Sequence, residues 1–223
     1  MGIDMYGSMS GASAWMMTPV WDAPHVLLLF LMWTVMMVAM MLPSVSPLLL
    51  IYSGVARRTT APGYSPSWVY VVAAGYLLIW TLFSAAATAA QRMLTNGYVL
   101  NPMMEIASRR TSATLLVIAG IYQFLPMKRT CLRNCRAPVS FLTEHARPGV
   151  SGAFQLGLRH GLYCLGCCWA LMSLLLAGGV MNLWVIVGLA VFVAIEKLSP
   201  FGEQTRWLAG AALIAVGAYL MVS

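Results

Sequence analysis

Residues 25–42 read HVLLLFLMWTVMMVAMML, a run without Asp, Glu, Lys or Arg that Pro43 closes. A helix crosses the hydrocarbon core of a bilayer with about 20 mainly apolar residues, and this stretch meets that length. It decides the fold class. In lipid, only helices and closed barrels satisfy their backbone hydrogen bonds, and an unbroken run of this length has the helical pattern. The rest of the chain agrees. Of 223 residues, 61% are hydrophobic and 9% charged, and the mean hydropathy is +0.81. A soluble domain is about 45–50% apolar and about 25% charged. Six acidic and thirteen basic side chains cannot coat a water-facing surface over this much Leu, Val, Ala and Met. The composition therefore excludes a soluble enzyme, a disordered chain and a nucleic-acid-binding domain.

The chain is expected to be an all-α, polytopic transmembrane helix bundle of about six spans. The first runs from His25 to Pro43 and continues, kinked, past Pro47 to Tyr52. The second covers Trp68 to about Ala90, the third Ala113 to Met127, and the fourth about Leu162 to Val180. The fifth covers Leu183 to Ala194 and the sixth Trp207 to Val222. The fifth is short for a span, so a count of five stays open. Residues 1–24 are read as an extracytoplasmic segment, and 25–223 as one bundle with a 3–4 loop at about 128–160.

Loop charge sets the orientation, because Lys and Arg concentrate in cytoplasmic loops. Arg57 and Arg58 fall in the 1–2 loop. Lys128, Arg129, Arg133, Arg136, Arg147 and Arg159 fall in the 3–4 loop, and Lys197 and Arg206 in the 5–6 loop. Only Arg92, Arg109 and Arg110 lie on the other side. Both termini are thus expected outward, with the 3–4 loop cytoplasmic in a bacterial inner membrane. Asp4 and Asp22 precede the first span without any Lys or Arg, unlike a secretory signal peptide. In the reducing cytosol the five Cys stay free thiols.

Those thiols carry the functional argument. In GLRHGLYCLGCCWALM, residues 157–172, His160, Cys164, Cys168 and Met172 succeed one another at i, i+4, with Cys167 beside them. The stripe is roughly 18 Å long at the helical rise. Gly157, Gly161 and Gly166 leave the helix thin enough for close neighbours. In YQFLPMKRTCLRNCRAP, residues 122–138, Gln123, Met127, Cys131 and Cys135 also step by four if a helix resumes after Pro126. Lys128, Arg129, Arg133 and Arg136 surround these thiols, and such charge favours thiolate. The first span adds Met36, Met37, Met40 and Met41 at a matching depth. Thiolates and thioethers suit soft ions such as Cu(I). Adding Met to Cys shifts the expectation from zinc, whose structural sites use Cys and His, towards Cu(I). The plain alternative is packing, since Met fills gaps and a free Cys behaves as a small hydrophobe. Glu196 and Lys197, at the end of the fifth span, are read as snorkelling to the interface, with an intramembrane role as the alternative. Ala211, Ala215 and Gly217 are read as a tight helix contact.

The blocks AGIYQFLPMKRTCLRNCRAP and GLRHGLYCLGCCWALM, with GGVMN, EKL and WTVMMVAMMLP, resemble bacterial integral membrane proteins described as predicted metal-binding. The resemblance runs from about Trp33 to the C-terminus. It implies a polytopic inner-membrane protein that handles metal, with Cys131, Cys135, His160, Cys164, Cys167 and Cys168 as its residues.

The function expected is that of a soft-metal, Cu(I)-binding membrane protein in transport, delivery or homeostasis. Cys131 and Cys135 exchange the ion at the rim; His160, Cys164, Cys167 and Cys168 hold it. Met172, Met127 and the first-span Met cluster are outer ligands. Copper is the expected ion, with zinc and mercury as alternatives, since vicinal Cys167 and Cys168 also resemble mercuric-ion uptake proteins. The expected partners are the metal ion, the lipid bilayer and a metallochaperone or metalloenzyme. No nucleotide-binding loop GxxxxGK[ST] occurs. Two further readings stay open: a thiol–disulfide oxidoreductase using Cys131/Cys135 with Cys164/Cys167, and an assembly subunit of a membrane metalloenzyme.

Overall fold

A computed structural model describes residues 22–59, 64–97, 106, 108–180, 182–199 and 202–222. The expected 1–24 segment lies almost wholly outside the described residues. Every regular element among them is helical: α1 (Ala23–Arg58), a 3₁₀ turn (Pro66–Trp68), α2 (Val69–Asn96), α3 (Arg109–Phe124), α4 (Pro126–Arg136), α5 (Pro138–His145), α6 (Val150–Ser173), α7 (Leu175–Gly178), α8 (Leu183–Leu198) and α9 (Gly202–Val222). Among the described residues, three helical stretches are long and apolar enough to cross a membrane: Ala23–Arg58, Pro66–Asn96 and Gly202–Val222.

Local chemistry explains the ends. Asp22 caps α1 by accepting from the His25 amide at 3.1 Å. Arg57 and Arg58 sit in its last turn, where positive charge suits the helix dipole. α1 contains Pro43 and Pro47 yet continues for 36 residues, roughly 54 Å at the helical rise and well beyond a hydrocarbon core. Pro126 ends α3 instead. Leu125 is extended, as a residue before proline prefers, and Pro126 opens α4 at a position where its missing N–H costs nothing. The expected third span therefore stops at Phe124, and a separate helix follows it. Asn182 caps α8, accepting from the amides of Trp184 and Val185 at 3.1 and 3.4 Å. α8 passes Ala194 and ends at Leu198. At 16 residues each, α3 and α8 are about 24 Å long, shorter than a bilayer core. The expected fourth span is corrected too: α6 starts at Val150 and stops at Ser173, with a separate turn at Leu175–Gly178.

Small residues bring helices together in pairs. α2 and α6 run parallel, with Gly75 against the Phe154 carbonyl, Gly157 against the Val72 carbonyl and Gly161 against Ile79. α3 and α9 run antiparallel, with Gly120 beside Ile214 and Gly217 beside Val117. Gly210 meets Phe124 and Gln123. Ala211 and Ala215 are exposed, so the expected α9 contact is carried by its glycines. α1 packs antiparallel to α2, with Trp33 Nε1 donating to Gln91 Oε1 at 2.8 Å in a buried hydrogen bond. Replacing Gln91 by Leu leaves that indole N–H without its acceptor. Stability should fall by about 1–2 kcal/mol, read by unfolding in detergent, and the W33F/Q91L pair should recover most of the loss.

The segment expected as a 3–4 loop is mostly helical: α4, α5 and the first turns of α6. α4 packs on α6, and α5 reaches α1. Three of the basic residues assigned to loops are inside the protein: Lys128, Lys197 and Arg206 are 0%, 4% and 2% exposed. Their burial takes them out of the loop-charge count. Arg57, Arg58, Arg129, Arg133, Arg147 and Arg159 stay exposed.

Candidate metal centre

The sulfur atoms come from α1, α4 and α6. His160, Cys164, Cys167, Cys168 and Met172 are all buried on α6, as are Met37, Met40 and Met41 on α1. Met36 is half-buried against the core. Met127 is 52% exposed: it shares α4 with Cys131 and Cys135, but each four-residue step drifts by about 40° around the axis, which leaves Met127 about 80° from the buried Cys135.

Two groupings result. In the first, Cys167 Sγ lies 3.9 Å from Cys135 Sγ. Two thiolates on one tetrahedral ion, each at about 2.3 Å, stand about 3.8 Å apart, so this pair has bridging geometry. Cys131 lies alongside, one turn earlier on α4; a Cβ on Gly166 would come within 2.7 Å of its Sγ. Gly166 thus makes room for that thiol, and the Tyr122 hydroxyl donates to its carbonyl.

In the second grouping, Lys197 Nζ sits 2.9 Å from Cys164 Sγ, 3.7 Å from Cys168 Sγ and 3.7 Å from Met41 Sδ. The Tyr76 hydroxyl is 3.0 Å from Cys164 Sγ and 3.1 Å from the Met41 carbonyl oxygen. Cys167 and Cys168 both donate to the Cys164 carbonyl, at 3.0 and 2.9 Å, satisfying their S–H groups within the helix. His160 packs against the rings of Tyr76 and Phe141, with centroids 5.9 and 5.1 Å away. Its Nδ1 is buried without a hydrogen-bond partner. Among the described residues, no three His, Cys, Asp or Glu side chains form a group able to hold a metal ion. Met41 completes the second set as a donor outside those four residue types.

Two expectations change here. Glu196 and Lys197 do not snorkel. Glu196 pairs with Lys128, Nζ lying 2.8 and 2.9 Å from its two carboxylate oxygens, and both side chains are fully buried. Lys197, the next residue, points to the sulfurs. The basic residues around Cys131 and Cys135 do not favour thiolate either. Lys128 is taken by Glu196, Arg129 by Glu203 at 3.4 Å, and Arg136 donates to the Ser199 carbonyl at 2.6 Å. Burial, with Cys167 nearby, pushes the Cys131 thiol above its ordinary value. Hydrogen bonds with Cys164 and Cys167, together with burial, push Cys135 well above its own. Reasoning from the sequence missed Tyr76, placed Lys128 only among the charges around the thiols, and kept an inward role for Lys197 only as the alternative to snorkelling. Only the two charges at span ends could have signalled it.

Fold and site together define an all-helical, thiol-rich protein with membrane-length helices, whose core gathers soft sulfur around a buried cation. The chain belongs to the PpoB2 family, described as copper chaperones, which matches it over residues 30–220. Membership ties the protein to a copper-related function and bears out the expectation of a metal-related family. No curated protein and no solved structure matches the chain.

Proposed function

We infer that the protein is a membrane-embedded Cu(I) carrier that receives the ion at Cys135 and Cys167, beside Cys131, and holds it at Cys164, Cys168 and Met41. The observation that carries this reading is the convergence of α1, α4 and α6 sulfur on one buried locus, in a chain of a copper-chaperone family. Cys135 and Cys167 link the two groupings, because Cys167 and Cys164 are one turn apart on α6. An ion passes between such sites by exchange of one thiolate at a time. Soft ligands of this kind favour Cu(I) over the hard divalent ions. Met41 adds a weak donor that lets the ion leave.

A six-pass thread with both termini outward, in a bacterial inner membrane, fits this carrier. It requires α2 and α6 to be parallel, and α1 and α2, like α3 and α9, to be antiparallel; the glycine and tyrosine contacts support all three relations. In this thread α3 and α8 end, and α9 begins, close to the sulfur locus. That puts the locus near the cytoplasmic boundary, where a soluble partner could deliver or collect the ion.

Metal analysis of anaerobically purified full-length protein tests the reading. The wild type should retain copper in stoichiometric amount after dialysis against a weak Cu(I) chelator. The Cys164→Ser/Cys168→Ser protein should retain less than about a tenth of that, since a neutral hydroxyl is a poor ligand for a soft ion. Equal retention by both proteins would sink the reading. The 3.9 Å approach of Cys135 and Cys167 favours a second reading as a thiol–disulfide pair. An oxidant-dependent gel shift that disappears in Cys135→Ser would support it.

A further inference from the structure

Lys197 occupies the middle of a cup of sulfur. Its ammonium contacts Cys164, Cys168 and Met41 at 2.9, 3.7 and 3.7 Å, and the residue is 4% exposed. A buried ammonium ordinarily pairs with a carboxylate, as Lys128 does with Glu196. Among the described residues, the hydrogen-bond partners of Lys197 are these three sulfurs. A cation therefore already sits where two thiols and a thioether converge, and that donor set suits soft metal ions.

The geometry points to a metal site formed by Cys164, Cys168 and Met41, in which Lys197 is the retained counter-charge that selects a monovalent ion over a divalent one. This rests on the copper reading above and names the ion's charge class. The count is short. Two thiolates bring two negative charges and the ammonium one positive. A monovalent ion makes the site neutral. A divalent ion leaves one positive charge in an apolar interior, where an unmatched charge is expensive. The count takes Cys164 as already the thiolate partner of the ammonium 2.9 Å away, so binding costs one proton: a sulfur–metal bond replaces the Cys168 S–H that now donates to the Cys164 carbonyl. That proton leaves to solvent, no electron moves, and the ion enters and stays as Cu(I). The flexible four-carbon stem of Lys197 lets its ammonium withdraw from the centre while staying beside the sulfurs. Cys167 is outside this count, because its sulfur turns to Cys135.

The test uses full-length protein in detergent, without oxygen, titrated with Ag(I) and Cu(I) as monovalent ions and Cd(II) and Hg(II) as divalent ones, each against a competing chelator. In the wild type, affinity corrected for the chelator should favour the monovalent ions. Lys197→Met should narrow the Ag(I) to Cd(II) ratio on the order of a hundredfold, the scale expected when one partner of a buried charge set is removed. A folded Lys197→Met protein with an unchanged ratio overturns the inference. A second readout needs no variant. The wild type should release one proton with the first Ag(I) bound in weak buffer, and release of two overturns the charge count, because Cys164 is then not a thiolate held against the ammonium before binding. A wild type that binds neither Ag(I) nor Cu(I) overturns the copper reading itself.

Discussion

Glu196→Gln should be among the most destabilising single changes in the chain, lowering stability by about 3–5 kcal/mol, because it strands the Lys128 ammonium in the core. Both side chains are fully buried, and the nitrogen lies 2.8 Å from the nearer carboxylate oxygen. Burying such a pair is close to break-even against well-packed apolar residues, whereas removing one partner leaves a charge that water cannot reach. Lys128→Met/Glu196→Met should therefore recover to within about 1 kcal/mol of wild type, although Glu196→Gln changes fewer atoms. Denaturant unfolding in detergent of the wild type, Glu196→Gln, Lys128→Met, Glu196→Met and the Lys128→Met/Glu196→Met double gives the full cycle. Glu196→Gln within about 0.5 kcal/mol of wild type would mean that water or another group reaches Lys128.

The pair also bears on the site. Glu196 and Lys197 are consecutive on α8, the first tied to α4 and the second directed at α6. Adjacent helical positions lie about 100° apart around the axis. Fixing Glu196 on Lys128 therefore fixes the direction in which Lys197 projects. Lys197→Met tests the charge at the sulfurs, and Glu196→Gln tests the brace behind it.

The sequence alone made part of this legible. The apolar run at 25–42 announces α1, and the four-residue spacing of His160, Cys164, Cys168 and Met172 identifies one buried face of α6, because helical periodicity is a local property. Gly157, Gly161 and Gly166 likewise signalled close neighbours, and each has one. Lys197 and Glu196 were hidden for a physical reason. A charge at the end of an apolar helix either snorkels to water or turns inward, and the choice depends on what covers that end. Here α4 covers it, and α4 exists as a separate helix because Pro126 breaks the chain after α3. Tyr76 carries no sequence signal, since its role depends on the parallel crossing of α2 and α6.

That crossing supports the other large prediction. A Cβ on Gly157 would fall inside the contact distance of the Val72 carbonyl oxygen, and one on Gly75 inside that of the Phe154 carbonyl oxygen. The obstacles are backbone atoms of helices held by neighbours on other sides, so a side chain here must force α2 and α6 apart. Overpacking a core costs about 1–3 kcal/mol where side chains can yield; Gly157→Leu should exceed that range. Gly188→Ala is the matched control. It lies within α8, nothing stands within 4 Å of its new Cβ, and removal of a mid-helix glycine should stabilise by up to about 1 kcal/mol. Separating α2 from α6 also draws the Tyr76 hydroxyl away from Cys164 Sγ and the Met41 carbonyl, now 3.0 and 3.1 Å away. Gly157→Leu should thus lose copper retention together with stability, whereas Gly188→Ala keeps both. If Gly157→Leu unfolds at the same midpoint as Gly188→Ala, the close crossing is not what holds α2 on α6. If it is destabilised yet keeps full copper retention, Tyr76 does not help to set the sulfur cup. Helix spacing and site geometry are then separable, and the cup rests on Lys197 and its brace.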